Sequence, residues 1–415
     1  MENLRYSGYE WIGDIPAAWH IATIGSLYTE RNTKVNDRDF PPLSVTMKGI
    51  VPQLATAAKS DAHDDRKLVC VGDFAINSRS DRRGSCGISP YEGSVSLINT
   101  ILSPRGKMNP RYYNWLFHTE LFADEFYKWG HGIVDDLWTT NWQNMKKIGV
   151  PVPPLQEQEI IADFLEKACG EIDAVIQSTQ ASIEEYWKLK RTIIAKAATQ
   201  GLHDCPMKDS GIPWIGQIPS HWTISKVRYH IKWKSEKGQP DATVLSLYRD
   251  YGVIPKDSRD DNHNVTSLDT SGYKVVDIGD FVINKMKAWQ GSMAVSDYRG
   301  IISPAYHVCS FTDLGINRKY FHHLMRNPLY LPEYTRLSTG MRIGQWDLAF
   351  DDFRNLPIVI PPSSEQQEIV DYIEAQSTEL DKLIESKERF VAELDCYRKA
   401  IIYQYVTGKK EVPTA

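Results

Sequence analysis

The sequence predicts an α+β chain: two homologous domains of mixed α and β structure, separated by two long helices that pair as an antiparallel coiled coil with pseudo-twofold symmetry. Two observations predict this fold class. The chain repeats itself at an interval of roughly 208 residues, and each repeat ends in a long segment whose apolar residues are spaced alternately four and three apart. This interval is too long for a solenoid repeat of about 20 to 50 residues. It indicates a duplicated module, made of a compact domain followed by one helix.

Three matched segments fix the register of the repeat. WIGDIPAAW at 11–19 returns as WIGQIPSHW at 214–222, GDFAIN at 72–77 returns as GDFVIN at 279–284, and the Val-Pro-Pro at 152–154 returns as Ile-Pro-Pro at 360–362. The matches predict a first domain over 1–152, a central helix over 153–203, a second domain over 204–359 and a C-terminal helix over 360–415.

Composition is typical of a soluble globular chain, with 42 % hydrophobic and 24 % charged residues. No apolar run approaches the length of a membrane span, and the first residues do not resemble a signal peptide, so we expect a cytoplasmic protein. The six cysteines show no C-x-x-C spacing and predict neither a zinc site nor a disulfide framework. A formal net charge of −5 excludes a chain that is basic throughout but leaves room for local basic patches.

Each predicted helix follows a Pro-Pro pair and carries Glu and Gln in its first turn, which suits the helix dipole. About 45 residues make a rod of roughly 65 to 70 Å, and an apolar seam of that length needs a partner helix. The other copy is the nearest partner because it lies on the same chain; alternatively, each helix packs on its own domain. The seam weakens at Thr179 and Lys387. The predicted interface residues are Ile161, Leu165, Ile172, Val175, Tyr186, Leu189 and Ile193 in the first helix, and Ile369, Ile373, Leu380, Leu383, Leu394, Tyr397 and Ile401 in the second.

The two domains agree in their apolar and turn-forming residues and differ in their polar loops. After the shared Gly-Asp-Phe strand, both loops are basic and both end in Gly-Ser. Loops on a rigid scaffold commonly carry binding groups, and Arg, Lys and Gln read base edges or hold phosphates. The alternative is a solvated surface hairpin, and Trp289 either contacts a base or belongs to the core. The candidate DNA contacts are Arg79, Arg82 and Arg83 in the first domain, and Lys285, Lys287, Trp289 and Gln290 in the second.

Two further pairs of loops recur at homologous places. The loops at 129–134 and 337–342 contain glycine, and Arg336 and Arg342 flank the second of them. The loops at 44–48 and 246–249 end in Lys48 and Arg249. Plain β-turn chemistry would also explain these residues, but their recurrence favours a shared role in binding, so the four basic side chains join the candidate contacts.

Motifs for catalysis are absent from the sequence. It contains no GxxxxGK[ST] phosphate loop, no GxGxxG after a predicted strand and no HExxH. His63 and His263 lie beside aspartates, but contiguous acidic residues in a loop are more often solvated charge than a metal site. We therefore expect no catalytic residues, no metal site and no cofactor bound by this chain.

On these residues the chain resembles the specificity subunit of type I restriction-modification systems. The resemblance rests on the WIGxIPxxW openings, the GDFxIN strands, DDFRNLP at 351–357, the Pro-Pro and Glu-Gln joints and the coiled helices, and it covers the whole chain. It implies two target recognition domains and a non-enzymatic reader of an asymmetric, bipartite DNA site. The first copy departs from the pattern at 142–148, where WQNMKKI replaces the more typical DDFxxL.

The resemblance also implies partners. Two modification subunits would methylate adenine at N6 and bring S-adenosylmethionine, and two restriction subunits would bring ATP and Mg²⁺. Contacts in successive major grooves lie about 34 to 36 Å apart, which is shorter than the rods. The two domains would therefore curl inward from the ends of the rods, and the helices would set the length of the unread spacer. The main rival is a coiled-coil scaffold that binds proteins through its two domains and never DNA; a weaker one is a stand-alone nuclease or methyltransferase. The sequence predicts neither half-site nor the spacer length.

Overall fold

The computed structural model describes residues 4–54, 63–132, 138–239, 241–249, 251–259, 269–313, 315–340 and 346–413. The chain divides into two compact units, residues 1–180 with 389–415 and residues 181–388. Each unit holds one globular domain together with a segment of each long helix. No helix in these described ranges combines the length and the hydropathy that a membrane span requires.

The first domain contains thirteen strands among its described residues, with four helices of four to nine residues. The strands are β1 Leu4–Tyr6, β2 Asp14–Pro16, β3 His20–Thr23, β4 Tyr28–Glu30, β5 Lys34–Val35, β6 Leu43–Thr46, β7 Gly49–Pro52, β8 Arg66–Val69, β9 Phe74–Asn77, β10 Cys86–Ile88, β11 Gly93–Ser96, β12 Asn99–Pro104 and β13 Gly149–Val152. The helices are α1 Ile24–Leu27, α2 Pro110–Phe117, α3 Glu120–Lys128 and α4 Trp142–Met145, and the long helix α5 follows at Leu155–Gln200.

The second domain repeats this plan. Its strands are β14 Met207–Asp209, β15 Gln217–Pro219, β16 Thr223–Lys226, β17 Ile231–Lys234, β18 Leu245–Tyr248, β19 Gly252–Pro255, β20 Lys274–Val276, β21 Phe281–Asn284, β22 Met293–Val295, β23 Gly300–Ile302, β24 Tyr306–Phe311, β25 Ser338–Thr339, β26 Asp347–Leu348 and β27 Pro357–Ile360. Its helices are α6 Arg318–Met325, α7 Leu331–Leu337 and α8 Phe350–Phe353, followed by the long helix α9 at Ser363–Val406.

Equivalent strands pair in the same order in both domains. The four-stranded antiparallel sheet β10-β9-β12-β4 of the first domain corresponds to β22-β21-β24-β17 of the second. The pairs β11-β8 and β13-β3 correspond to β23-β20 and β27-β16, and the hairpin β6-β7 corresponds to β18-β19. The prediction of two homologous domains of mixed α and β structure is therefore confirmed.

The repeated Gly-Asp-Phe sequence builds the turn into the central strand. Gly72 and Gly279 both have φ of 86°, a left-handed backbone conformation that favours glycine. The Asp73 carboxylate accepts a hydrogen bond from the Cys70 amide at 2.9 Å and pairs with Arg31 at 2.6 Å. The phenylalanine that follows is 1 % exposed in the first domain and fully buried in the second. In this short sequence, the glycine forms the turn, the aspartate accepts a hydrogen bond from a backbone amide of the turn, and the phenylalanine packs in the core.

The first turn of each long helix is locked to the domain that precedes it. In the first unit, Trp19 Nε1 donates to the Glu157 carboxylate at 2.9 Å, and Gln158 accepts from the Asn109 amide at 2.9 Å. In the second, Trp222 Nε1 donates to Glu365 at 3.0 Å, and Gln366 accepts from the Asn317 amide at 2.7 Å. The repeated Glu-Gln pair therefore does more than suit the helix dipole, because it bonds each helix to its domain.

Each domain also holds the C-terminal end of the other long helix. The Tyr112 hydroxyl donates to the carbonyl of Val406 at 2.7 Å in the first unit, and the Tyr320 hydroxyl donates to the carbonyl of Ala198 at 3.0 Å in the second. Both tyrosines are fully buried, and burial raises the pKa of each hydroxyl well above its usual range. The two hydroxyls stay protonated and serve as hydrogen-bond donors.

Within each unit, the α5 segment runs antiparallel to the α9 segment. In the first unit the Phe164 ring lies 4.5 Å from that of Tyr405, and further along α5 the Asp173 carboxylate lies 3.3 Å from the Arg398 guanidinium. In the second unit, Lys190 pairs with Asp381 at 2.7 Å. As the residue number increases along α5, the number of the partner residue on α9 decreases, which is what an antiparallel pair of helices requires.

The predicted interface residues of the two long helices differ in how far they are buried. Seven of them are buried: Ile161, Leu165, Ile172, Ile369, Ile373, Leu380 and Ile401. Three are partly buried: Tyr186, Ile193 and Leu394. The remaining four are 44 to 57 % exposed: Val175, Leu189, Leu383 and Tyr397. Their place in the helix interface stays a prediction, and Val175 and Tyr397 line one groove together with Ile172 and Leu394.

The exposure of these four residues follows from helix periodicity. An α-helix drifts by about 20° per heptad against a strict seven-residue pattern, so the buried stripe moves to a neighbouring residue. Ile176 packs on the core of the first unit, and Ile384 is 3 % exposed in the second. At the predicted weak points, the Thr179 hydroxyl donates to the carbonyl of Val175, and the Lys387 ammonium lies 5.7 Å from the Tyr186 ring.

Candidate nucleic-acid interface

The loop after the central strand of each domain is closed in the same way. The Asn77 side chain accepts from the Arg79 amide at 3.1 Å, and the Asn77 amide donates to the carbonyl of Ser85 at 2.9 Å. In the second domain the Asn284 side chain accepts from the Met286 amide at 3.2 Å, and its own amide donates to the carbonyl of Ser292 at 3.0 Å. The shared asparagine therefore caps a loop whose other residues differ.

Every predicted arginine of the first loop lies beside a carboxylate. Arg79 pairs with Asp81 at 3.1 Å, and Arg82 lies 3.8 Å from the same side chain. Arg83 pairs with Asp124 of α3. All three guanidinium groups are 40 to 68 % exposed, so these are weak surface pairs that a phosphate or a base edge can replace.

In the first domain, the loop after the central strand contacts residues 138–140, which follow the predicted loop at 129–134. The Ser80 amide donates to the carbonyl of Trp138 at 2.9 Å, and the Thr140 amide donates to the carbonyl of Ser78 at 3.0 Å. Trp138 is 36 % exposed. Two segments that are about 60 residues apart in the sequence thus form one continuous surface.

In the second domain, the equivalent loop contacts residues 346–348, which follow the predicted loop at 337–342. The Leu348 amide donates to the carbonyl of Lys285 at 3.0 Å, and Lys285 Nζ lies 3.7 Å from the Asp347 carboxylate. The rings of Trp289 and Trp346 lie 5.2 Å apart. Trp289 is partly buried, and its Nε1 is enclosed without a hydrogen-bond partner among the described residues. The ring is therefore neither a core side chain nor a fully exposed one.

The remaining predicted residues have different surroundings. Lys287 is exposed and Gln290 is partly exposed on the same loop. Arg336 pairs with Glu333 one turn earlier on α7, at 2.7 Å. Arg342 lies outside the described residues. Among the described residues, no group of three histidine, cysteine or acidic side chains could hold a metal ion.

The hairpin loops carry the last pair of predicted residues. Lys48 is exposed in the turn between β6 and β7, and a Cβ added to Gly87 on β10 would lie 2.8 Å from the Cα of Gly49. The hairpin therefore packs backbone to backbone on the central sheet. In the second domain, the carbonyl of Arg249 accepts from the Arg326 guanidinium, which also donates to the carbonyl of Met293 at 2.9 Å.

A cleft of about 910 Å³ lies beside these loops in the first unit. Lys48 and Arg83 line it together with two cations of α9 that the sequence did not single out, Arg398 and Lys399. His118 also lines it, and burial, together with nearby Arg398, lowers the pKa of this imidazole. Lys399 pairs with Glu120 at 2.7 Å. Only the packing of α9 on this domain brings these side chains together, so no local sequence signal predicted them.

Comparison with known proteins identifies the family. The family model described as type I restriction modification DNA specificity domain matches residues 72–185 and 235–389, one match in each copy of the repeat. The two matches cover more than half of the chain. The chain belongs to this family. It is a specificity subunit of a type I restriction-modification complex, and such subunits recognise DNA without catalysing a reaction.

Individual specificity subunits are similar to this chain. A Methanocaldococcus jannaschii protein named as the MjaX type I restriction enzyme specificity subunit is 22 % identical over 431 aligned residues, covering 97 % of this chain and 96 % of the relative. The MjaVIII specificity subunit of the same organism is 23 % identical over 289 residues, covering 64 % and 63 %.

Solved structures agree with the fold. One chain, described under complex assembly and conformational transition of the type I R-M system, matches with a TM-score of 0.69 at 14 % identity, covering 95 % of this specificity subunit and 99 % of that chain. The HsdS subunit from Thermoanaerobacter tengcongensis matches with a TM-score of 0.51 at 16 % identity, covering 98 % and 100 %.

Proposed function

We propose that this specificity subunit reads an asymmetric, bipartite DNA site, with one half-site for each domain. The observation that supports the proposal is the contrast between equivalent loops on equivalent frameworks. Residues 78–84 and 285–291 are closed by the same asparagine bonds, yet one carries three arginines and the other carries two lysines, a tryptophan and a glutamine. Different side chains at equivalent positions would read different sequences.

The charge arrangement suits an exchange of partners on binding. Arg79, Arg82 and Arg83 are held by the carboxylates of Asp81 and Asp124 in the free protein. Arginine binds guanine O6 and N7 or phosphate in bidentate fashion. DNA would therefore displace the two carboxylates and take over guanidinium groups that already lie at the surface. In the second domain, Lys287 and Gln290 would take the corresponding roles.

The helices would serve spacing and recruitment. Large apolar side chains stay exposed on both: Val175, Tyr397 and Phe390 in the first unit, and Trp187, Leu189, Tyr372 and Leu383 in the second. Exposed apolar patches are typical of protein-binding surfaces, and these suit helices of two modification subunits. Those subunits would methylate adenine at N6 with S-adenosylmethionine, and two restriction subunits would use ATP and Mg²⁺. We place this activity in the cytoplasm.

A mobility-shift experiment tests the proposal against a pure protein scaffold. The full chain should retard a random duplex at low salt, and the affinity should fall steeply as salt rises, because phosphate contacts release counterions. A scaffold would show neither effect. Replacing both Arg82 and Arg83 by alanine should weaken binding. Arg111 is a matched control, because it is an arginine of the same domain that pairs with Asp163 and Glu166 of α5 at 2.8 and 2.9 Å.

Mapping of methylated adenines in the source cell would return both half-sites and their spacer in one measurement. The proposal expects two unlike half-sites separated by an unread spacer of fixed length. A continuous or palindromic site would contradict it.

A further inference from the structure

The second domain exposes an aromatic side chain at a position where the first domain has a carboxylate. Trp233 lies on β17, an edge strand of the four-stranded sheet, and is 54 % exposed. It pairs in register with Cys309, which in turn pairs with Phe281. In the first domain, Glu30 pairs with Leu102, which pairs with Phe74. The two registers make Trp233 and Glu30 structurally equivalent.

A lysine lies next to this position in both domains, but its partner differs. In the first domain, Lys67 Nζ is 4.0 Å from the Glu30 carboxylate and donates to the carbonyl of Asn99 at 2.9 Å. In the second, Lys274 Nζ donates to the carbonyl of Tyr306 at 2.6 Å and lies 5.7 Å from the centre of the Trp233 ring. The first domain neutralises its lysine with an acid, whereas the second places its lysine against an aromatic ring.

Further positive charge surrounds Lys274. Burial lowers the pKa of Lys274, and the neighbouring ammonium groups of Lys285 and Lys237 lower it further. Lys237 is also joined to Lys274 by a backbone β-bridge. Two carboxylates lie nearby: Asp347 is 3.7 Å from Lys285, and Glu236, which precedes Lys237 in the chain, is 4.0 Å from Lys234. A cluster of ammonium groups around a half-buried lysine is a candidate site for an anion.

Trp233 packs on two aromatic rings of its own domain. The Trp233 ring lies 5.9 Å from the ring of His307 and 6.0 Å from that of Phe350. His307 Nδ1 is enclosed without a hydrogen-bond partner among the described residues. Lys285, whose charge acts on Lys274, also begins the loop that carries Trp289. Through Lys274, the Trp233 ring therefore continues the surface that we propose to read the second half-site.

We propose that Trp233 is a further DNA-contact residue of the second domain, whose ring packs against one nucleotide while Lys237 and Lys285 hold the adjacent phosphate. The inference rests on the proposed function of this domain as a DNA reader. It gives the second domain a contact that the first lacks, because Glu30 occupies the equivalent position there. An aromatic face accepts any base or sugar and a phosphate carries no sequence information, so this contact contributes affinity rather than base choice.

Two substitutions test the ring in the full chain. Trp233→Glu installs the carboxylate that the first domain already pairs with its lysine, so the fold should tolerate it. Trp233→Ala removes the ring without adding charge. Both variants should bind a fluorescein-labelled duplex about tenfold more weakly, whether the second half-site is cognate or scrambled. Trp233→Glu should also make the dependence on salt shallower by about one ion.

Two controls separate contact from folding. Trp233→Phe should bind within about twofold of the wild type, because it keeps an aromatic face. Tyr229→Ala should also bind like the wild type: this side chain is 60 % exposed in the same domain and stacks on its neighbour Arg228 at 4.9 Å. Thermal unfolding of each variant verifies that the domain is intact.

Two outcomes would overturn the inference while leaving the proposed function standing. In one, the wild type binds the duplex and Trp233→Ala binds equally well, which makes the ring an ordinary surface residue. In the other, only Trp233→Glu loses affinity, which assigns the effect to the added negative charge. If the wild type itself fails to retard any duplex, the proposed function fails and this inference fails with it.

Discussion

Replacing Gln366 by leucine tests the joint between the second domain and α9. Gln366 is 1 % exposed. Its Oε1 accepts from the Asn317 amide at 2.7 Å, and its Nε2 donates to the carbonyls of Pro361 at 2.9 Å and Gly315 at 3.3 Å. Leucine fills similar space but can neither donate nor accept. The Gly315 carbonyl keeps a bond from the Ser363 hydroxyl at 3.4 Å, so two backbone groups lose a partner.

The expected loss follows from these two groups. A buried backbone donor or acceptor left without a partner costs about 1 to 3 kcal/mol, so Gln366→Leu, which leaves two such groups, should lower the free energy of unfolding by about 2 to 6 kcal/mol. Urea denaturation of the full chain, followed by circular dichroism and tryptophan fluorescence, measures it. Gln158→Leu is the matched variant in the first unit, because Gln158 bonds Asn109 and Pro153 at 2.9 and 2.8 Å and should cost a similar amount.

The neighbouring Gln367 provides the control. It is exposed and bonds only the side chains of Asn317 and Asp371, so Gln367→Leu should change stability by less than about 1 kcal/mol. If Gln366→Leu unfolds at the same urea concentration as this control, the buried amide does not hold the helix to the domain, and the account of the joint is wrong.

Three further predictions concern DNA reading, pH and spacing. If Arg82 reads a base, Arg82→Ala should lose about 1 to 3 kcal/mol of binding free energy for the cognate first half-site. Filter binding, with Arg111→Ala as the control variant, measures this loss. Burial lowers the pKa of His323 to about 4, so the unfolded chain takes up a proton at a higher pH than the folded chain does. The free energy of unfolding should therefore be constant above about pH 6.5 and decline by about 1 kcal/mol per pH unit toward pH 4. The decline should be shallower in His323→Gln. Inserting four residues near Thr179 should change the spacer but neither half-site, and an unchanged methylation map would show that the helices are not the ruler.

Much of the fold was predictable because its signals are local and are written twice. Gly72 and Gly279 mark the same left-handed turn, and Ile161 and Ile369 begin the same buried stripe. The four-and-three spacing does not include the slow rotation of that stripe around the helix, so it predicts Val175 in the seam, where the side chain is 44 % exposed. The spacing of apolar residues predicts that a helix has a buried face more reliably than it predicts which residues lie at the edges of that face.

The joints were beyond sequence reasoning for a different reason. Glu157 and Gln158 read as residues suited to the first turn of a helix, and their charge and polarity fit that role equally well. Their partners Trp19 and Asn109 are far away in the sequence, and only the folded domain brings them within 2.9 Å. The same holds for Asp124, which nothing in the sequence connects with Arg83.

The position of the loops at 78–84 and 285–291 explains how one framework can carry two different sets of surface side chains. In both domains an asparagine closes the loop, and Gly84 and Gly291, with φ of 75° and 79°, return the chain to the next strand. The bonds that hold the long helices involve other residues, Trp19 and Gln158 in the first unit and their counterparts in the second. Ser78 and Ala288 are buried within these loops, but closure and attachment use none of the exposed side chains between the asparagine and the glycine, so the exposed ones can change without altering the fold. Specificity is therefore free to differ between the two domains, while the geometry that holds them stays the same.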